Sequence, residues 1–99
     1  MSGQNWVKRG TMSGTGAVIN ITCGFKPAKV ELFNVDGLAK AEKTEYMDAA
    51  KSVVQITAGT MTYVDVITLT ADGFSIGTDA DLNVAGEDLH WVAWQAQND

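Results

Sequence analysis

Cysteine and histidine are scarce in this sequence, and their scarcity excludes two ways of stabilising a small domain. The chain of 99 residues has one cysteine, Cys23, and one histidine, His90. A single cysteine cannot form an intramolecular disulfide, and this pair is too small a ligand set for a zinc site of the Cys/His kind. No apolar run approaches the roughly 20 residues of a membrane-spanning helix. We therefore expect no metal, no cofactor and no membrane partner.

Proline is also rare, at one residue against ten glycines, and this composition predicts many turns between short elements. The length supports a single domain, and a hydrophobic content of 45% is that of an ordinary globular protein. A domain of this length buries only about 65% of its unfolded surface, so its core is thin. Without disulfides or metals, we expect its stability to come from sheet packing and oligomerisation.

Basic residues are absent from the second half of the chain. Residues 1–51 carry seven basic and five acidic side chains, a net charge of +2, whereas the remainder carries seven acidic and no basic ones, a net charge of −7. An acidic chain is poorly suited to nucleic acid, because phosphate contacts dominate that affinity. The division fits either a solvated surface or self-complementary packing, in which acidic patches of one subunit meet basic patches of the next.

Strand-like patterns run through most of the chain. Alternating or β-branched residues, typical of half-buried strands, cover the segments 19–23, 29–35, 52–57, 60–70, 74–76 and 89–95. A slip in the alternation predicts a β-bulge near residues 64–66. Residues 38–50 fit a short helix or a strand equally, because their composition favours a helix but their large apolar residues are sparse.

Short strands joined by glycine turns predict an all-β fold. We expect a single compact antiparallel β-sandwich, jelly-roll-like, over residues 17–96. Residues 1–16 are rich in Gly, Ser and Thr and are expected to form an extended N-terminal arm, with residues 97–99 as a C-terminal tail. Within the arm, Trp6, Val7, Lys8 and Arg9 fit either an edge strand or a contact with a neighbouring subunit.

The candidates for catalysis are weak. Cys23 ends an alternating strand, where a free cysteine behaves as a small hydrophobic residue, and His90 belongs to a strand beside Trp91. Ser75 lies in a Gly-x-Ser-x-Gly sequence, from Gly73 to Gly77, but a nucleophile elbow needs a strand-to-helix turn at the serine, and residues 74–76 are predicted to be a short strand. We therefore expect no catalytic residues and no enzymatic activity.

An acidic loop and a tryptophan are the remaining candidates for binding. Asp79, Asp81 and Asn83 place oxygen ligands at alternate positions, as calcium loops do, but Val84 and His90 stand where such a loop needs glycine and glutamate. The loop therefore fits an acidic turn as well as a ligand site. Trp91 and Trp94, three residues apart on a strand, are expected to face opposite sides. Trp94 fits the core, a subunit interface or a sugar-binding platform.

Four landmarks carry a resemblance to known proteins. They are Gly24-Phe25-x-Pro27, Gly73-Phe74-x-Ile76-Gly77, Asn83-x-x-Gly86 and Leu89-x-Trp91-x-Ala93. Together they resemble small β-sandwich virion proteins of tailed bacteriophages, among them capsid decoration or cement proteins. The similarity spans residues 14–95. It departs from the family at Glu45-Tyr46-Met47, where an aromatic-rich Trp-Phe element is expected.

The resemblance implies a mechanical function. A decoration protein would be made in the host bacterial cytoplasm and would stabilise the outer capsid surface of the virion as a homotrimer bound to the major capsid protein. Trp6, Val7, Lys8 and Arg9 would then contact the capsid or a neighbour, and Trp94 would lie at a subunit seam. The alternative is a carbohydrate- or receptor-binding β-sandwich of a tail fibre or a lectin-like protein. In that case Asp79, Asp81 and Asn83 would flank an exposed Trp94.

Overall fold

Nine β-strands and no helix make up the part of the chain that the computed structural model describes, residues 6–96. The strands are β1 (Val7–Ser13), β2 (Ile19–Thr22), β3 (Pro27–Asn34), β4 (Ala39–Thr44), β5 (Lys51–Gln55), β6 (Met61–Asp65), β7 (Ile67–Leu69), β8 (Gly73–Ile76) and β9 (Asp88–Gln95). The predicted all-β class is confirmed.

Two antiparallel sheets pack against each other as a sandwich. The larger has the strand order β1-β9-β3-β4-β5-β6, and the smaller has the order β2-β8-β7. Strands β3 to β6 form a meander, whereas β9 returns from the end of the chain and inserts between β1 and β3. The last strand is therefore central, and its sequence reflects this because both of its faces carry large apolar residues.

The core lies between the two sheets and follows the alternation of the strands. On β9, Leu89, Trp91 and Ala93 are buried, while His90 and Trp94 point the other way. The ring of Trp91 packs edge-on against Phe74 of the smaller sheet, with 5.3 Å between ring centroids. Gly10 leaves room for this ring, since a Cβ there would collide with it. The opposite orientations expected for Trp91 and Trp94 are confirmed.

The slip in the alternation near residues 64–66 is not a bulge. Strand β6 ends at Asp65 in the larger sheet, and β7 begins at Ile67 in the smaller one. Val66 joins them: its amide donates to the carbonyl of Ala50 at 3.0 Å, and its carbonyl accepts from Gly77 at 2.7 Å. The inward-facing positions shift by one residue because the chain crosses from one sheet to the other. The local alternation of apolar residues looks the same for such a crossing as for a bulge.

The ambiguous segment 38–50 contains a strand followed by turns. Strand β4 pairs with β3 on one side and β5 on the other, and Ala39, Ala41 and Lys43 face the core. Two ladders of hydrogen bonds and buried alanines outweigh the helical preference of this composition.

The N-terminal segment is an edge strand from residue 7 onward. Strand β1 pairs with β9 along its whole length, from Val7 opposite Trp94 to Ser13 opposite Asp88. Residues 14–16 then contact the acidic loop, since the amide of Gly14 donates to the carbonyl of Glu87 at 2.9 Å. Of the expected arm, only residues 1–5 lie outside the described residues, as does the tail at 97–99.

Lys43 is a buried cation in a thin core. Its side chain is only 2% exposed, and its Nζ donates to the carbonyls of Asp48 (3.0 Å), Lys51 (2.9 Å), Met47 (3.4 Å) and Ala49. A neutral amine has only two hydrogens to donate, so four acceptors around Nζ indicate the ammonium form, which has three. Burial lowers the pKa of Lys43, an effect that Asp48 and Asp65 oppose. The ammonium thus holds the turn at residues 45–50 against the end of β4.

Candidate interaction surfaces

One face of the six-stranded sheet is covered by no other strand of residues 6–96. The smaller sheet packs on the opposite face, so the side chains that alternate outward from β1, β9, β3, β4, β5 and β6 face solvent. We call this surface the outer face. Its apolar members, exposed or half-buried, are Val7, Phe33, Val53, Met61, Tyr63, Val92 and Trp94.

Six charged side chains on the outer face form three ion pairs, whereas Arg9 and Asp88, near its β1 edge, have no salt-bridge partner within residues 6–96. Lys29 contacts Glu31 at 3.2 Å and also lies 5.2 Å from the centroid of the Trp94 ring. Lys40 contacts Glu42 at 3.7 Å, and Lys51 contacts Asp65 at 3.2 Å. Exposed pairs of this kind add little stability. Their consequence is that this face presents apolar area with its charges largely neutralised.

The segment Trp6, Val7, Lys8 and Arg9, which we call the N-terminal patch, lies at one end of β1. Trp6 is 58% exposed and Val7 is 51% exposed. The backbone of Trp6 is fixed, because its carbonyl accepts from the amide of Gln95 at 2.8 Å. Lys8 and Arg9 have no salt-bridge partner within residues 6–96. The sequence-predicted candidates of this segment are therefore neighbours and exposed, with Trp6 and Lys8 on the side of Phe25 and with Val7 and Arg9 on the outer face.

The opposite end of the sheet is acidic. Its centre is Asn34, whose Nδ2 donates to Glu87 Oε1 at 2.7 Å and to the carbonyl of Asp81 at 2.9 Å. Asp36 Oδ2 accepts from the amide of Asp88 at 2.8 Å. With Asp79, whose Oδ1 accepts from the amide of Asp81 at 2.8 Å, five carboxylates gather here, and we call this cluster the acidic pole.

An apolar groove of about 410 Å³ opens beside the acidic pole. Phe33, Val35, Leu38 and Ile56 supply its apolar walls. Leu38 is 66% exposed and has a φ of 57°, a left-handed conformation that costs a leucine about 1–2 kcal/mol. Thr57 fixes this wall, since its Oγ1 donates to the carbonyl of Gly37 at 2.8 Å.

The side chains of the predicted ligand loop form hydrogen bonds with backbone groups of the protein itself. Asn83 is 2% exposed, and its Oδ1 accepts from the amides of Thr15 (2.9 Å) and Gly16 (3.1 Å). Its Nδ2 donates to the carbonyls of Ala17 (2.6 Å) and Gly77 (2.9 Å). An amide side chain makes four hydrogen bonds at most, so none remains for a ligand. Asp79 likewise bonds the amides of its own turn.

Trp94 does not meet the acidic loop. It lies opposite Lys29 on β3, whereas Asp81 contacts Asn34, five residues further along that strand. At about 3.3 Å per residue the separation is about 16 Å, and the outer face and the acidic loop lie on different sides of the sheet. The aromatic platform flanked by Asp79, Asp81 and Asn83, which a sugar site would need, is not assembled.

Cys23 and His90 are also apart. Cys23 is 3% exposed and belongs to the core, while His90 is exposed on the outer face opposite Thr11 and Phe33. Burial raises the pKa of the Cys23 thiol, Lys8 opposes this shift and Asp72 adds to it. Because the thiolate is the reactive form, this raised pKa lowers the reactivity of Cys23 as a nucleophile.

The described residues supply neither a metal cluster nor a membrane-spanning helix. Among residues 6–96, no group of three or more His, Cys, Asp or Glu side chains is placed to hold a metal ion. That stretch also contains no helix of the length and apolarity that crossing a membrane requires. A comparison with protein-family models, curated proteins and solved structures finds no match to this chain.

Sequence reasoning missed the groove and Lys43. The groove combines the β3–β4 turn with residues 55–59, and no local pattern reports that these meet. Asp36-Gly37 indicated a turn, but the positive φ falls on Leu38 and not on Gly37, so no local pattern singled out Leu38. A signal did exist for Lys43, since it continues the inward alternation of Ala39 and Ala41.

Proposed function

We propose that this chain is a non-enzymatic structural protein of a virion, a capsid decoration or cement protein that attaches to the outside of the shell formed by the major capsid protein. The observation that carries the proposal is the outer face. Among residues 6–96, the six-stranded sheet is covered on one side only, and seven large apolar residues lie on the other side, where most charges are paired. Exposed apolar side chains gathered on one face of a sheet mark a site of protein association.

The size of the outer face indicates how attachment works. Six strands about 4.8 Å apart span about 24 Å, and five residues along them span about 17 Å, so the planar area is about 400 Å². A stable protein–protein contact buries about 800 Å² on each partner. One copy is therefore a weak ligand, and linked copies convert weak contacts into firm attachment. A homotrimer satisfies this requirement.

Shell binding tests the proposal directly. Empty shells assembled from the major capsid protein of the same genome are mixed with the purified chain and sedimented, and beads carrying immobilised glycans are tested in parallel. We expect the chain to sediment with shells and not to bind glycans. Val92→Lys, which places a charge in the middle of the outer face, should weaken shell binding about tenfold or more.

Val18→Lys is the matched control for that variant. Val18 is 60% exposed and precedes β2 of the smaller sheet, on the other side of the sandwich. The same substitution there should leave shell binding unchanged. Equal binding by Val92→Lys and the wild type would remove the outer face as the attachment surface. Glycan binding without shell binding would overturn the proposed function.

A further inference from the structure

The groove and the N-terminal patch match in chemistry. The groove offers the apolar walls of Phe33, Val35, Leu38 and Ile56. The N-terminal patch offers Trp6 and Val7, which stand more than half exposed at the other end of the molecule. A tryptophan side chain can bury about 150–250 Å² of surface. Tryptophans that enter a pocket often contribute a large share of the binding free energy of an interface.

Their charges match as well. Lys8 and Arg9 follow the apolar pair directly, and the acidic pole borders the groove through Asn34 and Val35. Within residues 6–96, neither these two cations nor the carboxylates of the pole form a salt bridge. Opposite charges without partners, placed beside complementary apolar surfaces, select and orient a specific contact.

The two surfaces of one molecule cannot meet. Trp6 is bonded to Gln95, which lies opposite Pro27 at the start of β3. Asn34 ends the same strand, so seven residues of extended chain, about 23 Å, separate the patch from the groove. Because β1 is paired with β9 along its length, the patch cannot swing across this distance.

We propose that the N-terminal patch of one copy docks in the groove of a second copy, with Trp6 against the apolar walls and Lys8, which lies on the same side of β1, against the acidic pole. The contact is heterologous, since the two partners use different surfaces. Such contacts close into a ring when the rotation between subunits permits it. The contact takes Phe33 from the edge of the outer face and leaves the other apolar residues of that face free for the proposed attachment to a shell, so copies can associate beforehand.

The groove is prepared for this occupant. Thr57 fixes the carbonyl of Gly37, and Asn34 Oδ1 accepts from the amides of Asp36 (3.0 Å) and Gly37 (2.9 Å). These bonds hold Leu38 in its left-handed conformation with its side chain outward. A wall fixed before binding loses little conformational freedom on association.

A complementation experiment tests the contact. Trp6→Ser removes the anchor but leaves the groove, and Leu38→Asp spoils the groove but leaves the patch. Both sites are exposed, and aspartate is tolerated at positive φ, so both variants should fold. By sedimentation equilibrium at about 0.01–1 mM, the wild type should self-associate, whereas each variant alone should associate about tenfold or more weakly.

The mixture of the two variants gives the sharpest result. A pair formed from both retains one intact contact, with the patch of Leu38→Asp in the groove of Trp6→Ser, and offers no second one. We therefore expect the equimolar mixture to form a two-copy complex and no larger species. A mixture as monomeric as its components would overturn the proposal.

Charge exchange tests the electrostatic half of the contact. Lys8→Glu should weaken self-association about tenfold, and Asp88→Lys in the same chain should restore it. Glu45→Lys is the matched control, because Glu45 is exposed in the turn after β4, away from the acidic pole. Restoration by Glu45→Lys as well would show an effect of net charge alone and would overturn the proposed pairing.

The proposal and the proposed function fail separately. A wild-type chain that stays monomeric to about 1 mM and still sediments with shells would remove this contact alone. A chain that associates through the patch and groove but ignores shells would remove the decoration function alone.

Discussion

Replacing Lys43 with methionine tests whether a buried cation organises one end of the sandwich. Methionine keeps most of the side-chain volume of lysine but donates no hydrogen bond. Four backbone carbonyls would lose this donor, those of Met47, Asp48, Ala49 and Lys51, although that of Asp48 also accepts from the amide of Lys51 at 2.6 Å. Because no other donor bonds these oxygens through a side chain, the turn at residues 45–50 should loosen.

The expected cost follows from the burial of the four carbonyls. Asp48 and Ala49 are exposed, so water can replace the ammonium there. Met47 and Lys51 are half-buried, and a buried acceptor left without a partner costs about 1–3 kcal/mol. Because both residues are only half-buried, about 1–2 kcal/mol applies to each, and the sum is about 2–4 kcal/mol, a large part of the roughly 5–15 kcal/mol that stabilises a domain of this kind. At about 4–8 °C per kcal/mol, Tm should fall by about 8–32 °C.

Lys40→Met is the matched control, since Lys40 lies three residues earlier on the same strand and faces outward. Its one ion pair, to Glu42 at 3.7 Å, is exposed, and its loss should change stability by less than about 0.5 kcal/mol. Urea unfolding and thermal melts of both variants give the comparison. If Lys43→Met were as stable as Lys40→Met, the ammonium would not hold the turn, and the reasoning from its hydrogen bonds would be refuted.

Three further predictions concern the loop, the smaller sheet and the thiol. Asn83→Ala removes four hydrogen bonds that join residues 15–17 to residue 77 and should cost about 2–4 kcal/mol in urea unfolding, whereas a side chain that only bound a ligand would cost nothing. Gly73→Ala places a Cβ against the carbonyl oxygen of Ile21, so the pairing of β2 with β8 should break and their amides should lose hydrogen-exchange protection; protected amides would contradict this. Burial raises the pKa of Cys23 above its ordinary value of 9.0, so the unfolded chain loses this proton at a lower pH than the folded chain. The stability from the neutral thiol is thus complete below pH 9 and declines as the pH rises through the folded-state pKa, by at most about 1.4 kcal/mol per pH unit. The unfolding free energy of the wild type should therefore fall more steeply than that of Cys23→Ala between about pH 8 and pH 10, and parallel curves would refute the assignment.

The candidate surfaces were only partly visible in the sequence. Trp6, Val7, Lys8 and Arg9 are neighbours in the chain, so the order of residues is enough to show their combined apolar and basic character. The acidic pole could not be recognised in this way, because Asp36 and Asp88 are far apart in sequence and meet only where β9 inserts beside β3. The acidic loop was recognisable, but whether Asn83 faced a ligand or its own backbone depended on where Thr15 and Gly77 lie.

By itself, the sequence determined the fold class, because a period of two and glycine turns are local properties of the chain. It also determined that no disulfide can form within this chain, because the chain has one cysteine. Only the tertiary structure decided the crossing at Val66, the strand at residues 39–44 and the buried position of Lys43. Each of these depends on which strands become neighbours, and neighbours in a sheet are set by long-range pairing that local patterns do not record.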